Sequence, residues 1–328
     1  MKVERILCPT DYSEFSERAL DRAVRLASWF EASVTVVHVL PPTTWMVTPD
    51  AIATVDVQED FLCAQREAEA ETLERFVAPY RGRSVALHTR LLDGDPSRLI
   101  QEAALELPAD LVVMGTHGRS GFEHLVLGSV AEKVVRRATC PVLTVGRAAI
   151  REAEGPLFRR VLCALDLTSA STRTLDVALS LAGENMAQVG VLHVLEVVPG
   201  SFGSPGYREL PEVVHMRRQA REGAEEQLHR SVPPEARAFC SVSERVEEGA
   251  AWREILRVAE AGDADLIVLG AHSSSLLDRA LFGSTVDHVV REARCPVLVV
   301  RETTARRTLR EEVPRAATWS SLPSAAAR

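Results

Sequence analysis

Residues 112–145 read VVMGTHGRSGFEHLVLGSVAEKVVRRATCPVLTV, and residues 267–300 read IVLGAHSSSLLDRALFGSTVDHVVREARCPVLVV. The two stretches match at a single shift of 155 positions, which carries Gly115 onto Gly270, Gly128 onto Gly283 and Cys140 onto Cys295. The shift holds outside that stretch too: RILCPTD (residues 5–11) falls on RVLCALD (residues 160–166), His38 on His193 and Gly94 on Gly249. A repeat of this length is about one globular domain, whereas solenoid units recur every 20 to 50 residues or so. Each copy is therefore expected to hold its own core and to present its own site.

Within the first copy, short apolar runs alternate with amphipathic patterns. Strands are expected near residues 5–9, 33–40, 85–92, 111–114 and 141–145, with helices near 13–30, 58–80, 96–105 and 129–138. The second copy repeats the plan, with strands near 160–165, 187–195, 240–246, 266–269 and 296–300 and helices near 171–182, 211–231, 252–261 and 284–292. Strands that alternate with helices imply an α/β fold with parallel pairing and right-handed crossovers. The expected domains are 1–147 and 158–301, with a linker at 148–157 and a tail at 302–328 too poor in apolar periodicity to pack. The segments 41–56 and 199–211, the latter rich in turn formers, are expected to be mobile.

Composition excludes several classes. The 328 residues are 46% hydrophobic and 26% charged, ordinary for globular material, and no apolar run approaches the length of a membrane span, about 20 residues. The chain opens directly into a strand pattern rather than a signal sequence, so the expected address is cytoplasmic. A net charge of −8 argues against nucleic acid as a partner, because duplex binding needs a basic face that displaces counterions. Cys8, Cys140, Cys163 and Cys295 form two repeat-related pairs in apolar strand contexts, as expected of buried core thiols, and neither C-x-x-C nor a Cys/His metal spacing occurs. A redox role for Cys140 or Cys295 is the alternative, and would need an exposed thiol of depressed pKa.

In an open parallel sheet, ligands settle at the C-terminal strand ends where the strand order reverses. The first strand ends in Pro9, Thr10 and Asp11; the fourth runs through Met114 into Gly115, Thr116, His117 and Gly118; and Gly128 and Ser129 stand directly before a helix. Glycine admits a close approach of backbone N–H groups to an anion, and a helix N-terminus adds unpaired N–H groups and a partial positive charge. Ser129 suits either an N-cap or a hydroxyl donor to phosphate. The pattern reads as an anion cradle, or as glycines serving only turns and a helix start. Neither the P-loop pattern nor G-x-G-x-x-G occurs, so a nucleotide would be held by main chain, with Asp11 near ribose or base and the second strand near Val39 offering its backbone.

The pattern G-x-x-G, nine residues, then G-[ST] resembles the nucleotide-binding motif of the universal stress protein family, and GTHGRSG, LGSVAEKVVRRATCPVLTV, ILCPTDYSE and GDPSRLI resemble its wording elsewhere. The likeness covers residues 1–147 and 158–301, which identifies the chain as a tandem member. It implies, for each copy, a five-stranded parallel sheet in the order 3-2-1-4-5 with helices on both faces. It also implies ATP as ligand, with Asp11 and Val39 around adenosine and Gly115, Gly118, Gly128, Ser129 and Val130 around ribose and phosphates. Relatives that pair their last strands imply an internal pseudo-dimer here, and association of two chains as a homodimer.

The second copy keeps Asp166, Val194, Gly270, Gly283 and Ser284 at the corresponding positions, but Ser273 replaces Gly118, Ala164 replaces Pro9, and Ala250 and Ala251 replace Asp95 and Pro96. If position 273 needs φ > 0 or a phosphate against its Cα, serine there is strained, so the first copy is expected to bind ATP better. His117 and His272 read as phosphate contacts or as locally bonded loop residues, and His38 and His193 as satisfied strand residues. Asp11 or Asp166 could hold Mg2+ through nucleotide phosphates; no other metal is indicated and no paired acid and base suggests catalysis. Two functions follow: an ATP-responsive stress regulator, or an interaction or chaperone-like stress protein whose glycine loops are structural; the apolar Trp45, Met46 and Val47 suit either.

Overall fold

A computed structural model describes residues 2–41, 55–118, 127–146, 157–169, 171–185, 187–196, 210–271 and 284–301. The tail, all of the expected linker but Leu157, most of the two expected mobile segments, and Trp45, Met46, Val47, His272, Ser273 and Gly283 lie outside the described residues.

The first copy runs β1 (Arg5–Thr10), α1 (Glu14–Phe30), β2 (Ser33–Leu40), α2 (Val55–Val77), β3 (Leu87–Asp93), α3 (Pro96–Glu106), β4 (Leu111–Gly115), α4 (Ser129–Arg137) and β5 (Val142–Val145). The second runs β6 (Arg160–Leu165), α5 (Ser171–Asn185), β7 (Gln188–Leu195), α6 (Pro211–Ser231), α7 (Ala236–Phe239), β8 (Ser241–Glu248), α8 (Ala251–Ala261), β9 (Leu266–Gly270), α9 (Ser284–Glu292) and β10 (Val297–Val300). Each expected strand and helix is present, with ends shifted by up to three residues; the four-residue α7 was not expected.

Local chemistry explains the boundaries. Helix α1 is N-capped by Ser13, whose side chain accepts from the Ser16 N–H, with Glu14 and Glu17 in the first turn where the helix dipole favours anions. It ends at Glu31, at φ 54°, whose N–H closes on Ala27 O. Between these caps Ala19, Leu20, Ala23, Leu26 and Ala27 form the buried face, small enough to let the helix lie close to the sheet. Each third strand turns into the following helix at a glycine with positive φ, 143° at Gly94 and 151° at Gly249.

Strand order is 3-2-1-4-5 in the first copy, and in the second β8-β7-β6-β9-β10 repeats it. The two sheets are continuous. β5 and β10 pair antiparallel, placing Leu298 opposite Leu143 and Val297 opposite Thr144, whose hydroxyl donates to Val297 O at 3.1 Å. One ten-stranded sheet results, parallel apart from that central pair.

The core therefore differs from the expected pair of separate cores. One apolar cluster covers one face of the sheet, running from Leu20 and Val24 of α1 through Leu143 and Leu298 to Leu175 and Leu179 of α5. The other covers the opposite face, from Ile100 of α3 and Val134 of α4 to Val289 of α9 and Ile255 of α8. Both clusters draw on both repeats, because β5 and β10 are buried on each side and their edges are consumed by one another.

Among the described residues no helix is long and apolar enough to cross a membrane.

Candidate functional site

The order reverses between β1 and β4, and there the first copy opens a cavity of about 320 Å3. Pro9, Thr10 and Asp11 enter it from the end of β1, Val39 from β2, and Met114 and Gly115 from β4. His117 and Gly118 follow from the loop, and Gly128, Ser129 and Val130 from the start of α4. All the site residues expected in this copy thus line one cavity. Sequence reasoning missed Ser16, Val37, His38, Pro96, Ile100 and Ala131, which line it as well. Ile100 stands four residues after Pro96 on α3, so helical spacing alone puts the two on one face.

Two contacts hold the glycine loop. The Gly128 N–H donates to Thr116 O at 2.8 Å, joining the loop's two ends, and a Cβ built on Gly128 would stand 3.3 Å from that same oxygen. Gly118 is not among the residues of positive φ, so the φ > 0 requirement considered for this position does not apply. What it needs is room: a Cβ there would meet Asp11 Oδ2 at 2.6 Å. Gly115 packs under α1, where a Cβ would meet Phe15 Cβ at 2.8 Å.

Ser129 is the first residue of α4, and the N-cap is Gly128, at φ −57° and ψ 135°, with no side chain capping the helix. The N-cap alternative for Ser129 is thus set aside, and this exposed residue lines the cavity. The first N–H groups of α4 have no intrahelical acceptor and open on the cavity beside two glycines. An anion is what such a cradle suits.

Asp11 brings the one carboxylate among the residues lining the cavity. Its Oδ1 accepts from the Ser13 N–H at 3.1 Å and the Ser13 hydroxyl at 2.6 Å, which fixes the side chain across the start of α1. His38 is buried and its Nδ1 donates to Thr10 O at 2.8 Å while its ring stacks on Tyr12, centroids 4.4 Å apart. His193 repeats the bond, 2.8 Å to Leu165 O, so both are satisfied strand histidines that also reach a cavity. His117 bonds locally, to Thr116 Oγ1 at 2.9 Å through Nδ1, and also lines the cavity.

The second copy has a cavity at the matching place, lined by Asp166, Val194 and Gly270. Ser284 is not among its lining residues, whereas Thr285 is, and Gly283 lies outside the described residues. The two copies also differ at the third helix. Asp95 caps α3 by accepting from the Arg98 N–H at 2.8 Å and the Ser97 hydroxyl at 2.6 Å, and these bonds, the Ser97 one foremost, hold its carboxyl below the usual range. Ala250 caps α8 with no side-chain bond.

The thiols follow burial. Cys8 is fully enclosed and its thiol is pushed up to about 12, and burial raises Cys163 further. Cys295 is half-buried, pushed up to about 12 by burial and then by Asp265, which is opposite to the shift a redox thiol needs. No group of three or more metal-ligating side chains occurs among the described residues.

A family model described as the universal stress protein family matches residues 2–146 and again residues 157–301. A universal stress protein of Methanocaldococcus jannaschii is 36% identical over 142 residues, covering 43% of this chain and 81% of that protein. One of Bacillus subtilis is 34% identical over 145 residues, covering 43% of this chain and 97% of that protein. Among solved structures, a universal stress protein from Archaeoglobus fulgidus aligns over 92% of this chain and 99% of its own at TM-score 0.63 and 21% identity, a likeness of fold.

Proposed function

This chain belongs to the universal stress protein family, and from that premise we propose that its first repeat binds ATP and that the protein is a nucleotide-responsive stress regulator. The observation that carries the proposal is the first cavity, where Asp11, the glycines 115, 118 and 128 and the uncapped start of α4 meet at the strand-order reversal. Asp11 and Val39 would face adenosine, and Gly115, Gly118, Gly128, Ser129 and Val130 would receive ribose and phosphates. The phosphates supply the negative charge that the helix start favours, and a Mg2+ ion would enter with them rather than through a protein cage.

Asp166, Val194, Gly270, Gly283 and Ser284 are proposed as a weaker second site, since Ser273 stands where the first repeat uses Gly118 to clear Asp11. The repeats are proposed to act as an internal dimer within a chain divided at 1–147 and 158–301, a reading supported by the β5–β10 pairing. Cytoplasmic residence belongs to the same proposal.

Calorimetric titration of nucleotide-stripped protein with ATP and Mg2+ tests the central point. One strong site per chain, lost in Gly118→Val, is the expected result. No heat at millimolar ATP would overturn it in favour of an interaction protein with structural glycine loops.

A further inference from the structure

Both repeats carry an aspartate at the end of their first strand and a serine five residues on, Asp11 with Ser16 and Asp166 with Ser171. Their hydroxyls are bonded differently. In the first repeat the Thr10 hydroxyl donates to Ser16 Oγ at 3.0 Å, and the Ser16 hydroxyl donates to Ser13 O at 2.9 Å. Thr10 Oγ1 in turn accepts from the Tyr12 N–H at 3.0 Å. Thr10 and Ser16 are both buried, and both line the cavity.

In the second repeat Leu165 occupies the place of Thr10 and offers no hydroxyl. There the Ser171 hydroxyl donates to Asp166 Oδ1, which also accepts from the Thr168 N–H at 3.0 Å and the Thr168 hydroxyl at 2.8 Å. A serine hydroxyl has one proton to give. When a neighbouring donor fills one of its lone pairs and fixes its rotamer, that proton is aimed elsewhere, and the chain of bonds strengthens itself.

We infer that Thr10 is a positioning residue: through Ser16 it keeps a helix hydroxyl off Asp11, so that the carboxylate serves a ligand in the first repeat, while Leu165 lets Ser171 bind Asp166 into the start of α5. The inference rests on the nucleotide reading of the first cavity and adds a cause for unequal repeats that is separate from Ser273. A carboxylate oxygen already holding three donors is a poorer acceptor for a ribose or base donor, although Asp166 still lines its cavity.

Thr10→Val keeps the shape of the strand residue and removes its hydroxyl. ATP titrations of the full chain are expected to show Thr10→Val weakened about 3- to 10-fold, the range one hydrogen bond spans. The double variant Thr10→Val/Ser16→Ala, with no hydroxyl left to capture Asp11, is expected to recover to within about twofold of the parent. A double variant as weak as the single one would overturn the inference and assign the loss to Thr10 itself. If the parent binds no ATP, the nucleotide reading falls separately. The crystal structure of Thr10→Val then decides the inference: Ser16 Oγ bonded to Asp11 Oδ1 supports it, and Ser16 Oγ still on Ser13 O overturns it.

Discussion

Gly118 faces Asp11 so closely that a Cβ on the glycine would stand 2.6 Å from the carboxylate's Oδ2. The contact joins the end of β1 to the loop after β4, and it sets the requirement for glycine by space rather than by φ. Gly118→Ala is expected to turn the Asp11 carboxylate out of its place while leaving the fold intact, because the displaced atom is the end of a side chain. ATP affinity should fall about 5- to 150-fold, the equivalent of about 1 to 3 kcal/mol for an overpacked contact, with the melting temperature nearly unchanged. Titration calorimetry and a thermal melt on the same sample check both halves.

At the junction, Leu143 and Leu298 oppose one another across the antiparallel pair and are both buried in the same apolar cluster. Leu143→Ala and Leu298→Ala are each expected to destabilise the protein by about 2 to 5 kcal/mol. The double variant should fall short of or exceed the sum by about 0.5 to 3 kcal/mol, because the two side chains share one space. Denaturant unfolding of the four proteins in the cycle measures this, and strict additivity would contradict the pairing.

The cap on α3 gives a pH signature. Folding lowers the Asp95 carboxyl below its ordinary value of 3.8, so its contribution is present above that value and is lost as pH falls through the lowered one. Asp95→Ala is expected to melt below the parent near neutral pH, with the gap closing in acid below pH 3.8. Paired thermal melts across that range check the sign, and a gap that widens in acid would contradict it.

Thiol accessibility separates the six cysteines. Cys63 is exposed, Cys295 half-buried and the other four buried. Native-state alkylation near pH 8 is expected to modify Cys63 first, Cys295 slowly, and Cys8 and Cys163 only on unfolding, since burial holds the latter two protonated. Peptide mass mapping over time reads the order, and early modification of Cys8 would contradict the enclosed core.

Particular residues mark how far the sequence could be read. The 155-residue shift, the alternation of apolar runs and the glycines flanking β4 and α4 announced a tandem α/β chain, and the residues named for the first cavity do line it. These signals are local: periodicity reports which face of an element is buried, and turn residues report where it ends. Two features were not legible. Ser129 reads in sequence as a cap or as a hydroxyl donor, yet Gly128 takes the cap position, because the loop's closure on Thr116 O sets the backbone at the helix start. Ser16 looks like any first-turn serine, yet its hydroxyl accepts directly from Thr10 on β1 and donates to Ser13 O.

The sequence by itself determined the repeat, the order of elements and the chemistry offered at the strand ends, since each is written in residue type and spacing. Only the tertiary structure decided that two sheets become one with cores shared by both repeats, that Gly118 clears a carboxylate rather than a bent backbone, and that two equivalent aspartates meet different donors. The physical reason is that a buried strand edge, a bare Cα and a hydroxyl proton each accept several partners of the same type. For the strand edge and the bare Cα, the partner follows from distances between segments more than a hundred residues apart, such as Thr144 and Val297 or Asp11 and Gly118; for the hydroxyls it follows from the turn that joins strand to helix.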